Sequence, residues 1–536
     1  MRLRHRTFES LWQNQSGVAM PLVLSMIIAM TIISGSVLLL MDSNLGISRR
    51  NNESQRALNI AEAGINYYLW HLSHNNTDYR DGQSTPNTPD PTLGYGPYVH
   101  NYIDDNAVDS GTYTLWVKPQ GAGSTIMTVR SIGKIKNGTV TRTVEAVLGA
   151  PSFASYALVG DSALWFGDTE AANGPVHSNQ GIRMDGASYD SVSSARATYV
   201  PPSNLGGNGS TSRPGVWCST AITTPVDCNT RNKNDWVFPV ATVDFNQISG
   251  SLCTMKKVAF AANAATSALA NLANACSQVP NTRTPAYLPQ RATDGFYNIT
   301  RGYLVELKTD GTYDLWNVNG ENDRLTPYTT ALTLQSVATN IAIPSSGVIF
   351  AEDNVWVRSK PTFHGRVTIG AGRLASSSVN AEIVVADDII YSIKNGSDAL
   401  GLVAESNVTI APYAPPATGS FTFEVDAAMI AQSGSVRYPG TYRTNSSACT
   451  RGWVNANQNF TFYGSVSTRQ TWTWTWLKGS NSCGDAVRDT ATNTYISGIN
   501  HNTTQYDYNL LYAPPPSFPI TSTYNILSWR EVLTKP

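Results

Sequence analysis

Ser16-Gly17-Val18-Ala19-Met20-Pro21-Leu22 opens a run that carries no charged residue from Val18 to Met41, 24 positions in all. At about 1.5 Å of rise per helical residue such a run reaches roughly 36 Å, enough to cross a hydrocarbon core. No breaker separates it from an amphipathic segment in which Ala57, Ile60, Ala61, Gly64, Ile65, Tyr68, Leu69 and Leu72 recur every three or four residues. That spacing is one face of a helix. The pattern predicts a single long helix over 18–72, apolar all round as far as 41 and one-sided beyond.

The residues ahead of the run are basic at Arg2, Arg4, His5 and Arg6, with Glu9 the sole acid. A secretory signal peptide places its small-residue cleavage site after a short apolar core. Here the small residue, Gly17, comes before a run too long for such a core. This arrangement resembles the leader of type IV pilins, which prepilin peptidase cuts on the cytoplasmic side so that the apolar helix is kept. Farther along, Gln55-Arg56-Ala57-Leu58-Asn59-Ile60-Ala61-Glu62-Ala63-Gly64-Ile65 is similar to the "ALQxAEAG" segment of PilX-type minor pilins, and the likeness covers about residues 10–72.

The resemblance implies a leader over 1–17, cleavage between Gly17 and Val18, and a retained helix over 18–72 with its transmembrane part at 18–41. It places Pro21, Leu22, Glu62 and Gly64 on the helix that serves membrane and filament. The partners it implies are prepilin peptidase and other pilins or pseudopilins. Its location is a single pass through the inner (cytoplasmic) membrane, then a pilus or the cell surface, with the C-terminal domain extracytoplasmic. Most pilins have Phe or Met after the cut and Glu five residues in, where this chain has Val18 and Leu22. PilX-type proteins and some tip pseudopilins share the apolar residue. Without the resemblance, the same stretch reads as a signal anchor followed by an amphipathic stalk.

A chain of 536 residues exceeds one ordinary domain. Charged residues make up only 14% and the formal net charge is −1, so no global field points to nucleic acid. Six cysteines, Cys218, Cys228, Cys253, Cys276, Cys449 and Cys483, all follow the apolar run. None forms a CxxC pair and no histidine stands near enough to suggest zinc, so neither metal nor cofactor is expected. An even number after a membrane span reads as disulfides in an oxidising compartment, the sequential pairing being one of fifteen; free buried thiols are the alternative.

Residues 73–97 hold Pro86, Pro89, Pro91, Gly94 and Pro97 without an apolar period, the pattern of a loop. Alternating runs follow at Thr112 to Val117, Thr125 to Ile135 and Val140 to Leu148, the last two joined by Lys136-Asn137-Gly138, a strong hairpin signal. These are the parts of a pilin-like meander, placed at 73–150. Beyond it, 151–536 reads as a large β-rich extracytoplasmic domain. One Ala-rich helix interrupts it at about 245–276, and a hairpin turns at Asp310-Gly311. Short strand pieces from Val355 to Phe462, spaced loosely, suggest a solenoid-like region at about 345–470 with insertions, or a β-sandwich. The expected fold class is α+β and mostly β. GPVHSN and DALGLVAESNV are similar to an uncharacterised module behind pilin-like starts in bacterial surface proteins, a likeness that supplies no chemistry.

Catalytic patterns are thin. Gly160-Asp161-Ser162-Ala163-Leu164 resembles the GDSL motif of a hydrolase family, but no histidine has Asp three positions before it, so the stretch reads as a turn. There is no HExxH, GxSxG or Walker loop. His177 reads as a turn histidine bonded to backbone rather than a base. Asn317 to Asp323 could wrap calcium yet lacks the twelfth-position glutamate, leaving a polar turn. Thr471 to Trp476 alternates Thr and Trp; as a strand it sets Trp472, Trp474 and Trp476 on one face. Exposed, they would stack on sugars or grip a protein; buried, they would fill a core.

These observations set the expectation of a minor pilin or pseudopilin of a type IV pilus or type II secretion-like filament. It would not be an enzyme, and it would sit at the filament tip. Its outer domain would meet a host or surface glycan or protein ligand. The alternative is a membrane-anchored β-helix enzyme acting on polysaccharide, which needs clustered carboxylates in a cleft.

Overall fold

The structure, a computed structural model, describes residues 19–74, 78–83, 88–119, 126–167, 170–219, 235–263, 275–291, 302–322, 331–375, 379–414, 420–439, 457–478, 487–489, 494–521 and 524–532. Gly17, Val18, Cys228, Cys449 and Cys483 lie outside the described residues.

Helix α1, Ala19–His74, runs unbroken for 56 residues. Its proline, Pro21, sits in the first turn, where the missing N–H has no helical partner to lose. The stripe Ala57, Ile60, Ala61, Gly64, Ile65, Tyr68 and Leu72 is buried, as its period predicts. It packs on an antiparallel sheet of β1 (Tyr95–Ile103), β2 (Asp109–Pro119), β3 (Ile126–Ile135), β4 (Thr141–Gly149) and β5 (Asn525–Val532), in that spatial order. The approach is close at two glycines. A Cβ on Gly133 would overlap the Ala57 carbonyl oxygen and Ala61 nitrogen, and one on Gly64 would meet Ser131 Oγ and, at 2.9 Å, the Tyr113 ring.

Two strands of this sheet escape the sequence pattern. β1 begins inside the stretch expected to be loop, and its Pro97 is tolerated because β1 is an edge strand. β5 comes from the far end of the chain and pairs with β4 from Asn525↔Gly149 to Val532↔Thr143. The residues between β4 and β5 therefore form an insertion in the sheet. Its two connections are bound to each other: Ser152 bridges Ile520, Phe153 N donates to Pro519 O at 3.0 Å, and Thr521 N donates to Pro151 O at 2.8 Å.

The inserted body is a coil of parallel strands. Successive strands alternate between two sheets: Val348–Ala351, Arg366–Ala371, Ala399–Ala404, Phe421–Ala431 and Gln458–Thr468 line one, while Val355–Lys360, Ile383–Val385, Val408–Ile410 and Val436–Arg437 line the other. Every pairing among them is parallel. The order in space is not the order in sequence. After Gln458–Thr468 the next strand in the sheet is Leu158–Gly160, followed by Val176–Ser178, Val192–Ser194 and Trp236–Val237. One core ladder crosses the join in register: Ile349, Ile369, Leu402, Met429, Val466, Leu158, Val176 and Val192, all buried. In-register apolar stacking of parallel strands makes the two chain segments one hydrophobic core.

The chain must then travel from Trp236–Val237 back to Tyr287–Leu288, at the opposite end of the sheet. Nine strand spacings separate these, roughly 43 Å at about 4.8 Å each. Helix α2, Gln247–Ala261, makes part of that return across the outer sheet face, with Phe245, Ile248, Leu252, Met255 and Phe260 packed among Val159, Phe350, Val403 and Ile430. It is shorter at its end than the expected 245–276: Ala262 caps it, a short 3-10 turn stands at Ala275–Ser277, and 264–274 lie outside the described residues. Cys253 and Cys276 form a disulfide, Cα atoms 5.4 Å apart, which ties α2 to that turn. A loop of this length contributes about 3 kcal/mol in the chain-entropy model.

Candidate functional site

From Ala19 to Asn52 every residue of α1 is exposed, and the exposed side chains include Met20 (85%), Leu22 (57%) and Leu39 (74%). This length is apolar enough to cross a membrane. Soluble monomers rarely leave bare an apolar patch above roughly 300–600 Å². Burying one such leucine is worth about 1.5–3 kcal/mol, so the rod has a large drive to be covered by lipid or by other helices. Its hydroxyls do not oppose that. Ser25 Oγ donates to Leu22 O at 2.9 Å, Thr31 Oγ1 to Ile28 O at 2.8 Å and Ser36 Oγ to Ile32 O at 2.8 Å. Local bonds of this kind let Ser and Thr enter an apolar medium without an unsatisfied donor.

Pro21 and Leu22 stand on the bare rod. Glu62 and Gly64 do not: Gly64 is buried against the sheet and Glu62 is half-buried on the flank. The small residues of Ala61-Glu62-Ala63-Gly64 thus have a reason within the chain itself, the close seating of α1 on β3.

The tryptophan triplet is not a surface platform. Trp474 is 2% exposed, its ring 5.3 Å from Phe460, and Trp472 is half-buried with its ring 5.6 Å from Phe166. Trp476 is half-buried and its Nε1 donates to Tyr438 O at 3.1 Å. The reason is the join between the two coil segments, where Phe166 of one faces the Trp472–Trp474 stretch of the other. The rings fill that seam. Among the described residues of the outer body, the large aromatic side chains that stand exposed are Tyr189, Tyr508 and Tyr512.

The remaining candidates are structural. His177 is 2% exposed, its Nε2 3.1 Å from Asn179 Oδ1 and its Nδ1 3.0 Å from Ser193 Oγ; burial holds its pKa below the ordinary histidine value. Asn179 Oδ1 accepts Val243 N and its Nδ2 donates to Val243 O, both at 2.8 Å, so GPVHSN pins the segment that leads into α2. Asp161 of the GDS turn pairs with Arg469 at 3.2 Å. Asn317 to Glu321 belongs to the strand Thr312–Glu321 rather than a turn, and Asn319 Oδ1 accepts from Arg291; Asp323 lies outside the described residues. Cys218 is also disulfide-bonded.

One corner of the coil gathers Asp387, Asp388, Glu424 and Asp426. Lys394 Nζ bonds Glu424 at 2.6 Å and Asp426 at 2.8 Å, while Arg358 faces Glu306 and Asp387. Asp388 accepts Glu424 N and Asp426 accepts Tyr391 N, so these carboxylates brace turns. Burial pushes Asp388 and Asp426 up to about 6 each. Among the described residues no group of three or more His, Cys, Asp and Glu is placed to hold a metal ion.

No family model matches the chain, and no curated protein does. Among solved structures the chain is similar to the competence-associated pilin ComZ from Thermus thermophilus, at 13% identity and a TM-score of 0.33, over 90% of this chain and 98% of that one. A likeness at that level carries no argument about what this chain does.

Proposed function

We propose that the chain is a minor pilin or pseudopilin of the PilX type, which assembles into a type IV pilus or a type II secretion-like filament and presents its outer body, a β-solenoid, for adhesion or surface contact. The observation that carries this is the bare apolar rod continuing without a break into a helix seated on a sheet. A rod of that kind is stored in the inner membrane and later covered by the equivalent helices of other pilins. The outer body is inserted between β4 and β5, so it hangs from the sheet and leaves the rod clear. The protein is read as a display subunit without catalysis of its own; the pairing of Glu424 and Asp426 with Lys394 and the bracing of a turn by Asp388 support that reading.

Prepilin peptidase is its maturing partner, cutting between Gly17 and Val18. Purified from the surface, the chain begins at a free or methylated Val18 by mass spectrometry, and Gly17→Trp abolishes maturation because the peptidase must fit a small side chain there. A surface chain that still begins at Met1, or a tryptophan variant that matures normally, overturns the proposal.

Leu22 bears on position within the filament. In an apolar bundle the N-terminal amine of one subunit is a costly charge, and an acid at the position of Leu22 in the subunit added next is what would neutralise it. A subunit without that acid is least penalised where nothing lies above it, at the tip. Gold-labelled antibody against the outer body decorates filament ends on this reading. Label spread along the shafts refutes it and leaves the filament assignment standing.

A further inference from the structure

The outer body holds its exposed aromatic rings on a rigid base. Tyr508 and Tyr512 are 54% and 59% exposed and belong to a short turn, Tyr508–Leu511 and the residue that caps it. Asp507, 2% exposed, fixes the start of that turn: it accepts Asn509 N at 3.0 Å, Asn509 Nδ2 at 2.7 Å and the Tyr463 hydroxyl at 2.7 Å. Tyr506 is buried beneath, its hydroxyl donating to Ala154 O at 2.8 Å and its ring meeting Tyr508 edge-on at 4.9 Å. The Tyr508 hydroxyl donates to Asp190 Oδ2 at 3.1 Å, which brings the turn carrying Tyr189, 72% exposed, alongside. Tyr512 caps the same turn that Tyr508 opens, and just beyond it the Ala513 and Pro514 carbonyls each accept Arg366 Nη2 at 2.7 Å.

We propose that Tyr189, Tyr508 and Tyr512, with the Asp190 carboxylate, form a binding platform for an uncharged polysaccharide. The proposal rests on the reading of the outer body as a presented surface. The chemistry matches on three counts. Aromatic faces accept the C–H side of a pyranose ring, and tyrosine offers large area for only two rotatable bonds. A carboxylate beside phenolic hydroxyls bonds vicinal sugar hydroxyls. The half-buried Asp190 carboxylate beside Tyr508 disfavours anionic polymers, while the Arg366 guanidinium is taken up by the Ala513 and Pro514 carbonyls. The pinned turn means little ordering is lost on binding.

The test uses the full chain in detergent micelles, run by native affinity electrophoresis through gels containing dextran, galactomannan or amylopectin, and through gels containing alginate or polygalacturonate. At least one neutral polymer retards the chain and the anionic ones do not. Tyr508→Ala and Tyr512→Ala each weaken the retardation constant about tenfold, with the fold kept, since both side chains are more than half exposed. Tyr508→Phe retains most of the binding, since the stacking face survives. The site is overturned if no neutral polymer retards the parent, if only anionic polymers do, or if the triple variant Tyr189→Ala, Tyr508→Ala, Tyr512→Ala runs like the parent. Sheared filaments separate this from the function above: a parent chain absent from them sinks the assembly reading, whereas a triple variant present in them with parental binding sinks the tyrosine site alone.

Discussion

Gly133→Val unseats the long helix from its sheet. The Cβ added at Gly133 overlaps backbone atoms of α1, the Ala57 carbonyl oxygen and the Ala61 nitrogen, with Ala61 Cα at 3.0 Å. Backbone in the middle of a helix cannot turn aside as a side chain can, so the whole helix must lift off β3. Overpacking usually costs about 1–3 kcal/mol, and a clash with the backbone of a seated helix belongs at or beyond the top of that range. The expected result is faster proteolysis between Ala57 and Leu72 and a lowered unfolding temperature for the sheet.

Gly64→Ala is the control, because its overlap is with Ser131 Oγ, a side-chain atom, and with the Tyr113 ring at 2.9 Å. Ser131 Oγ is buried and makes no hydrogen bond, so Ser131→Ala alone is close to neutral and, combined with Gly64→Ala, recovers the part of the loss that the Ser131 overlap causes. A valine at 133 that leaves protease resistance unchanged shows that the helix is not seated as described.

Lys256→Met gives a defect in the outer body that grows with pH. Lys256 on α2 and Glu352 on the coil are both fully buried and ion-paired, and Lys256 also donates to Cys276 O at 2.8 Å. The Tyr287 hydroxyl lies 3.4 Å from Glu352. Burial drives Glu352 up to about 7 even with the lysine in place, and drives Lys256 down.

The direction of the pH effect comes from proton counts. A carboxyl raised in the fold from its ordinary 4.5 to about 7 binds more protons folded than unfolded between those values. Stability from this group is therefore present below about pH 4.5 and lost as pH climbs to about 7. Removing Lys256 takes away the charge that had lowered Glu352, so the loss continues to higher pH. The variant falls behind the parent by about 3–5 kcal/mol at pH 8, the usual result of stranding one member of a buried pair, and by less at pH 5.5, where the carboxyl is neutral. Thermal unfolding at the two pH values reads this out, and Glu352→Gln added to Lys256→Met removes the part of the pH dependence that Glu352 carries. A deficit of equal size at both pH values would falsify the account. In the parent, Asp388 and Asp426 shift in the same direction, so the body unfolds at a higher temperature near pH 5 than near pH 7.5.

Local patterns were legible wherever a segment's partner was itself local or was the solvent. The period from Ala57 to Leu72 marked the seated stripe of α1, because a helix face repeats on a scale that the sequence displays. The meander β2 to β4 was legible from alternation, and its turn from Asn137, which takes a φ of 59° ahead of Gly138. An absence of charge from Val18 to Met41 was enough to mark the bare rod. The sequential connectivity was one of fifteen; the structure shows its Cys253–Cys276 pair, and only their proximity in the fold selected it.

What the chain did not display in advance depends on distant partners. β5 has Ile526, Leu527 and Trp529 exposed, and nothing in its own residues says that its edge mate is Gly149 to Thr143. The tryptophans could be platform or filling, since alternation assigns faces without saying which face is wet. Phe166, some three hundred residues earlier in the chain, decided for filling. The order of the coil was equally hidden. Parallel strands pair through backbone groups that every residue carries, so Val466 beside Leu158 is specified by shape and by the ladder they share with Met429 and Val176, not by any motif. The sequence by itself determined a long helix, bare then one-sided, and a β-rich remainder. Only the tertiary structure decided that this remainder is hung between two neighbouring strands and wound with its later half in front of its earlier one, because those choices are made by long-range packing, to which local periodicity is blind.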